Sequence, residues 1–247
     1  MEARRINSLE AWIATFDGSD TNVYLFAYGS LIWDETSSYS PSTNCTASFP
    51  ATVQGFTRSF CVLSRTYRGT RNEPGLVLGI RPAVSSSCRG VVFEFTPTLA
   101  AQVLPEVDER EMEISNQATP CYERWLVPFT TTEPPLGSKR SPTERLLSPR
   151  MAIVYVVDTG GSEFWDPPLS LKAEVIATRT GTRGTNLEYF RQIDKRLESL
   201  LPPPTDTERG SSEGKGEEEM ALLAEAISVY LCEYQSVKNV ISKPNKL

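Results

Sequence analysis

The chain has 247 residues, 39% of them apolar, enough to close the core of one large domain or two small ones. Its 31 acidic and 25 basic side chains leave a net charge of −6, which argues against a general nucleic-acid or anionic-membrane binder, since both need a cationic field. There is no histidine. Ser-His-Asp triads, Cys-His dyads, histidine zinc ligands and imidazole proton shuttles are thereby excluded, and acid–base chemistry falls to Asp, Glu, Tyr, Lys, Cys or the main chain.

Taken in chain order, MEARRINSLEAWIATF carries no apolar run of signal-peptide length, and nowhere do about 18 apolar residues follow one another, so a soluble, cytoplasmic chain without a membrane segment is expected. Leu9, Trp12, Ile13 and Phe16, behind Ser8 as N-cap, predict a short docking helix over Ser8–Phe16. VYLFAYGSLIW, Val23 to Trp33, reads as a buried strand that breaks at Gly29-Ser30 into a tight loop. Further strand-like runs lie at Ala51–Val53, Ser59–Leu63, Gly75–Ile80, Gly90–Phe95, Trp125–Phe129 and Ala152–Val157. So many short strands before the first long helix predict a β-rich, barrel-like body.

Thr98–Met112 sets Leu99, Val103, Leu104 and Val107 on one helical arc, with Pro105 expected to kink or split it. Asn186–Leu201 is a cleaner helix, with Asn186 as N-cap and Leu187, Phe190, Ile193, Leu197 and Leu200 as its stripe. A last helix, about Glu217 to Val240, has Leu222, Leu223, Ala226, Ile227, Tyr230 and Leu231 on one face. Residues 130–149 and 202–219 are rich in Pro, Ser, Thr, Gly and charge, and are expected to be mobile insertions in a single domain. No exposed heptad or long apolar edge announces an interface, so a monomer is expected. Cys45, Cys61, Cys88, Cys121 and Cys232 are odd in number, without a CxxC pair or metal-like spacing, which predicts reduced, packed thiols and no metal site.

Several constellations are candidates for chemistry. Tyr28-Gly29-Ser30-Leu31-Ile32-Trp33 ends a buried strand in a loop whose successive N–H groups can share a hollow suited to carboxylate or oxyanion oxygens, although an ordinary strand-ending turn explains it too. Arg58 lies among aromatics in GFTRSF, and Tyr67-Arg68-Gly69-Thr70 precedes Pro74-Gly75; each arginine suits either a substrate carboxylate or a structural ion pair. In Asp108-Glu109-Arg110-Glu111, a wheel of about 100° per residue turns Asp108 and Glu109 outward and permits a buried Glu111 without establishing it, the other reading being a solvated charge run. Gly181-Thr182-Arg183-Gly184-Thr185-Asn186 opens a helix and can hold an anion or simply cap it, and Tyr189 can present a hydroxyl to a pocket. The loop lacks the GxxxxGK[ST] phosphate pattern.

In order, VYLFAYGSLIW, QGFTRSF, YRGTRNEPG, CRGVVFEF, DEREMEI and GTRGTNLEYF resemble the ChaC family of gamma-glutamylcyclotransferases, known for acting on glutathione. The resemblance runs from about Val23 to Leu201 and implies an α+β, gamma-glutamylcyclotransferase-like fold, a small mixed β-barrel flanked by helices. It implies cleavage of glutathione to 5-oxoproline and cysteinylglycine with no metal or organic cofactor. It further implies that Glu111, in the Arg110-Glu111 pair, is the catalytic base, that Tyr28, Gly29, Ser30 and Leu31 hold the gamma-glutamyl group through main-chain amides, and that Arg58 and Tyr189 touch substrate. Tyr67 stands where many relatives have histidine, and MEISNQATPCY makes the loop ahead of Tyr122 longer than the family's.

In that reaction the substrate's own α-amine attacks its γ-amide carbonyl, so the protein's task is to hold the near-attack conformer and move protons. Two rivals stay open on the same residues. One is a cyclotransferase for other gamma-glutamyl amino acids or amines, and the other is a silent gamma-glutamyl-binding protein that uses its acidic tail as a partner surface.

Overall fold

Five strands close into a barrel. The computed structural model describes residues 2–9, 22–32, 40–112, 121–131, 150–200 and 215–241. Most of the expected helix at Ser8–Phe16 lies outside them, as do residues 113–120, 132–149 and 201–214. The elements are β1 (Arg4–Arg5), β2 (Val23–Ala27), a 3₁₀ turn (Ser30–Ile32), α1 (Pro41–Asn44), β3 (Ala47–Ser64), β4 (Gly75–Phe95), α2 (Pro97–Met112), β5 (Tyr122–Thr130) and β6 (Met151–Val157). They continue with α3 (Leu169–Thr178), the β7–β8 hairpin (Thr180–Gly181, Gly184–Thr185), α4 (Asn186–Leu200) and α5 (Lys215–Ile241).

The barrel runs β2, β4, β3, β5, β6 and back to β2; the β2–β6 pair is parallel and the others antiparallel, so the barrel is mixed. The β3–β5 contact that closes it is short, Thr52 and Val53 with Thr130 and Phe129, and β1 pairs with Leu126 and Trp125 of β5. Strand β6, MAIVYVV, is apolar throughout because it is buried on both faces.

The four short runs expected between Ala51 and Phe95 are two long strands folded as one hairpin. Gly55 adopts φ +80°, and the β3–β4 register shifts between Gln54 and Phe56, a bulge that lets the pair bend without ending. Beyond the bend the hairpin leaves the barrel and carries a helical layer. Phe60, Leu76 and Leu78 pack there with Val175 and Ile176 of α3, Phe190 and Ile193 of α4, and Leu223 and Ile227 of α5.

Helix α2 runs unbroken through Pro105, where a kink or split was expected. Thr96 caps it, its Oγ1 accepting the Leu99 N–H at 3.3 Å. Its buried residues Ala100, Val103, Leu104 and Val107 join the barrel core. Val103, Val107 and Glu111 follow one another at i+4, so the carboxylate continues the apolar line instead of leaving it.

Two helices differ from expectation. The sequence reading has no helix at Leu169–Thr178, yet α3 buries Ala173, Val175, Ile176 and the whole of Lys172. Lys172 Nζ reaches Asp166 Oδ1 at 2.6 Å, Glu219 Oε1 at 2.5 Å and Ser59 Oγ at 2.6 Å, which ties α3 to β3 and to the start of α5. Residues 215–219, expected within a mobile insertion, are therefore the first turn of α5, and its buried line is Met220, Leu223 and Ile227, with Leu222 outside. Among the described residues no helix is long and apolar enough to cross a membrane, and no group of three or more Cys, Asp or Glu side chains is arranged to hold a metal ion.

Candidate active site

Strand β2 ends at Ala27, and the chain turns at Tyr28-Gly29 into the 3₁₀ turn, closed by the Ile32 N–H on Gly29 O at 3.0 Å. Tyr28 drops its ring into the core and donates its hydroxyl to Tyr155 O at 2.7 Å. Its backbone carbonyl accepts from Arg58 Nη1 at 3.2 Å, while Arg58 Nη2 donates to Arg89 O. Arg58 is 1% exposed and lies behind the turn, outside the hollow that the turn borders. Arg58, expected from the sequence to touch substrate, is not among the residues lining the hollow, and its Nη1 and Nη2 donate to main-chain carbonyls where β3 carries it into the interior of the sheet.

The hollow measures about 680 Å³, within the range of small-molecule sites. Tyr28, Gly29, Ser30 and Leu31 form one side, and Arg110 and Glu111 at the end of α2 reach in beside them. Arg110 holds the two together. Its Nη2 donates to Ser30 Oγ at 2.9 Å, and its Nε is 3.4 Å from Glu111 Oε1. Glu111 is 7% exposed, so its carboxylate meets the hollow and not bulk water.

Tyr122, Tyr155 and Tyr189 complete the inner wall. The Tyr122 hydroxyl donates to Leu78 O at 3.2 Å, and the Tyr189 hydroxyl accepts the Leu78 N–H at 3.4 Å, so β4 orients both rings. Tyr155 donates to Asp108 Oδ1 at 3.1 Å, and Arg124 Nη2 donates to Asp108 Oδ2 at 2.6 Å. Asp108, expected to point outward, is held instead by these two residues of β5 and β6. Burial, joined by the Glu111 charge, keeps the phenols of Tyr28, Tyr122, Tyr155 and Tyr189 above their ordinary range, so all four remain hydroxyls at neutral pH. Burial and then Glu111 likewise push the Cys121 thiol up to about 12.

The outer wall comes from the Tyr67-Arg68 segment and the β7–β8 hairpin. Arg68 lies over the Tyr189 ring, 5.2 Å from its centroid. The start of α4 is not an open anion site. Thr185 Oγ1 accepts the Glu188 N–H at 3.1 Å and Glu188 Oε2 accepts the Thr185 N–H at 2.9 Å, a reciprocal capping box. Asn186, expected as the cap, is fully buried and uses its amide like a short strand, accepting from Leu76 N at 2.6 Å and donating to Leu76 O at 2.7 Å.

Of the residues singled out from sequence, the fold brings Tyr28, Gly29, Ser30, Leu31, Glu111 and Tyr189 to one hollow, with Tyr67, Arg68, Arg110 and Arg183 of the other motifs, and Arg58 is not in its lining. Tyr155 was missed, although a tyrosine inside an otherwise aliphatic buried strand is itself a signal, since its hydroxyl needs a partner. Arg110 was seen only as a neighbour of Glu111.

Residues 23–211 match the family model described as ChaC-like protein. A glutathione-specific gamma-glutamylcyclotransferase of Schizosaccharomyces pombe is 28% identical over 200 residues, 75% of this chain and 87% of that one. The Escherichia coli protein of the same description is 28% identical over 179 residues, 72% of this chain and 66% of that one. Among solved structures, a gamma-glutamyl cyclotransferase specific to glutathione from yeast superposes with a TM-score of 0.61 at 22% identity, covering 85% of this chain and 97% of that one. That likeness is one of fold.

Proposed function

The chain belongs to the ChaC-like protein family, and from that premise we propose that it is a glutathione-specific gamma-glutamylcyclotransferase, a monomeric cytoplasmic enzyme releasing 5-oxoproline and cysteinylglycine. The observation that carries the reading is the sheltered Glu111 carboxylate, bracketed to the Tyr28–Leu31 turn through Arg110 and Ser30.

In the reaction the substrate's α-nitrogen bonds to its γ-carbonyl carbon, and the bond from that carbon to the cysteinyl nitrogen breaks. Of the three protons on the α-ammonium, one stays on the lactam nitrogen and two end on the departing amine. Glu111 takes each proton from the attacking nitrogen and returns it to the leaving one, which requires it to be near both and away from water. Because nucleophile and electrophile share one chain, folding the glutamyl arm into its cyclic conformer supplies much of the acceleration. The amides of Gly29 to Leu31 receive the substrate's oxygens, and the four phenols keep the hollow polar without competing for the proton. An oxyanion met by one such amide would contribute about 3 kcal/mol.

The test is release of 5-oxoproline by the purified chain with glutathione as sole substrate, beside gamma-glutamyl-alanine. Turnover of glutathione well above the other compound supports the reading. Turnover of gamma-glutamyl-alanine alone assigns the same site to a different substrate, and no 5-oxoproline from either contradicts it.

A further inference from the structure

The cyclisation as proposed above uses no residue of the outer wall, yet that wall is tightly stitched. Thr182 N–H donates to Thr66 O at 2.9 Å, Arg183 N–H donates to Tyr67 O at 3.0 Å, and Arg68 Nη1 donates to Arg183 O at 2.7 Å. The β7–β8 hairpin is thereby stitched to the segment that follows β3. Gly181 is required for this approach, because a Cβ there would collide with the Tyr67 backbone. The stitching lays the Arg183 guanidinium across the Tyr67 ring, 4.2 Å from its centroid, with both side chains lining the hollow and Tyr67 38% exposed.

The lining holds three guanidinium groups, on Arg68, Arg110 and Arg183, against the single carboxylate of Glu111. Arg110 is engaged by Glu111 and Ser30, and Arg68 by Arg183 O, Thr185 O and the Tyr189 face. Among the described residues Arg183 forms no side-chain hydrogen bond or ion pair; its guanidinium lies on the Tyr67 face and close enough to Arg68 to repel it. A planar fork laid on an aromatic ring at the exposed edge of a cavity is suited to a carboxylate. A gamma-glutamyl head is a zwitterion with no net charge, so it gives the surplus positive charge nothing to balance. The remaining charge of glutathione is the carboxylate at the far end of its cysteinylglycine arm.

We propose that Arg183, braced on Tyr67, binds the terminal carboxylate of the leaving dipeptide and sets a preference for substrates that end in a carboxylate over gamma-glutamylamines and esters. The proposal rests on the cyclotransferase reading above. Because Arg183 meets a part of the substrate that does not react, its contribution is the same in ground and transition states and appears in KM more than in kcat.

The experiment compares wild type, Arg183→Ala and Arg183→Lys in 5-oxoproline release from glutathione and from its glycyl ethyl ester. Wild type should favour the acid over the ester by about five- to tenfold in KM, the scale of a partly exposed charged hydrogen bond. In Arg183→Ala the KM for glutathione should rise by that factor and the acid-to-ester ratio should collapse toward one, with Arg183→Lys between. The proposal is overturned if wild type shows no preference, if Arg183→Ala keeps the wild-type ratio, or if the loss falls on kcat; each leaves the cyclotransferase reading intact. Failure of wild type to release 5-oxoproline from either compound overturns that reading, and the proposal with it.

Discussion

Arg110 donates to the Ser30 hydroxyl at 2.9 Å from the far end of α2, so one side chain spans the turn after β2 and the carboxylate beside it. A lysine has no planar fork and cannot reproduce contacts made from two separate nitrogens, Nε to Glu111 and Nη2 to Ser30. Arg110→Lys is expected to lower kcat/KM by about ten- to a hundredfold, the scale of a misplaced catalytic group. Ser30→Ala, which removes only the anchor, should cost a few-fold, roughly one neutral or charged hydrogen bond. Steady-state kinetics on folded variants, checked by circular dichroism, measure both.

Arg58 separates a structural role from a binding role. Removing its guanidinium takes one donor each from Tyr28 O and Arg89 O in the interior. Arg58→Met should therefore lower stability by about 2 to 4 kcal/mol in chemical denaturation. A substrate-binding residue would instead raise KM and leave the denaturation midpoint where it was.

The two residues at the start of α4 should differ in kind. Thr185→Ala removes a capping box partner and is expected to cost about 1 kcal/mol. Asn186→Ala strips two buried hydrogen bonds from Leu76 and should cost about 2 to 3 kcal/mol. Equal losses in denaturant titrations would return Asn186 to the role of a simple cap.

The thiols predict a reactivity order. Cys61 and Cys121 are buried, and burial, with the nearby carboxylates Asp166 and Glu111 respectively, pushes each up to about 12. A folded-state value above the ordinary thiol range leaves little thiolate at neutral or mildly alkaline pH, so both should resist alkylation until the protein unfolds. Cys232 is exposed and should be labelled first, with half-buried Cys45 behind it. Mass spectrometry after brief native labelling reads the order directly.

The barrel was legible in the sequence because its strands are short apolar runs with β-branched and aromatic residues, and β6 and β2 are nearly uniform in this. The continuity of β3 and β4 was not. Gln54, Gly55 and the Ser85–Ser87 stretch look like turn residues, and only the paired register shows that they form a bulge inside one hairpin. Helix α3 escaped because Leu169, Leu171, Ala173 and Val175 alternate as a strand would, with a lysine that looks solvent-facing until Asp166 and Glu219 come to meet it. The candidate base was readable as a permitted position on a wheel, and Pro105 left the phase open. Its neighbours Tyr122, Tyr155 and Arg183 come from distant strands and a hairpin, and no local pattern joins them.

The most direct measurement is 5-oxoproline release from glutathione by folded Glu111→Gln, with Glu109→Gln, on the exposed side of the same helix, as control. Glu111→Gln should lose about a hundred- to ten-thousandfold in kcat, the worth of a positioned base, and Glu109→Gln should keep a rate near wild type. A Glu111→Gln variant that turns over glutathione at the parent rate would contradict Glu111 as the base.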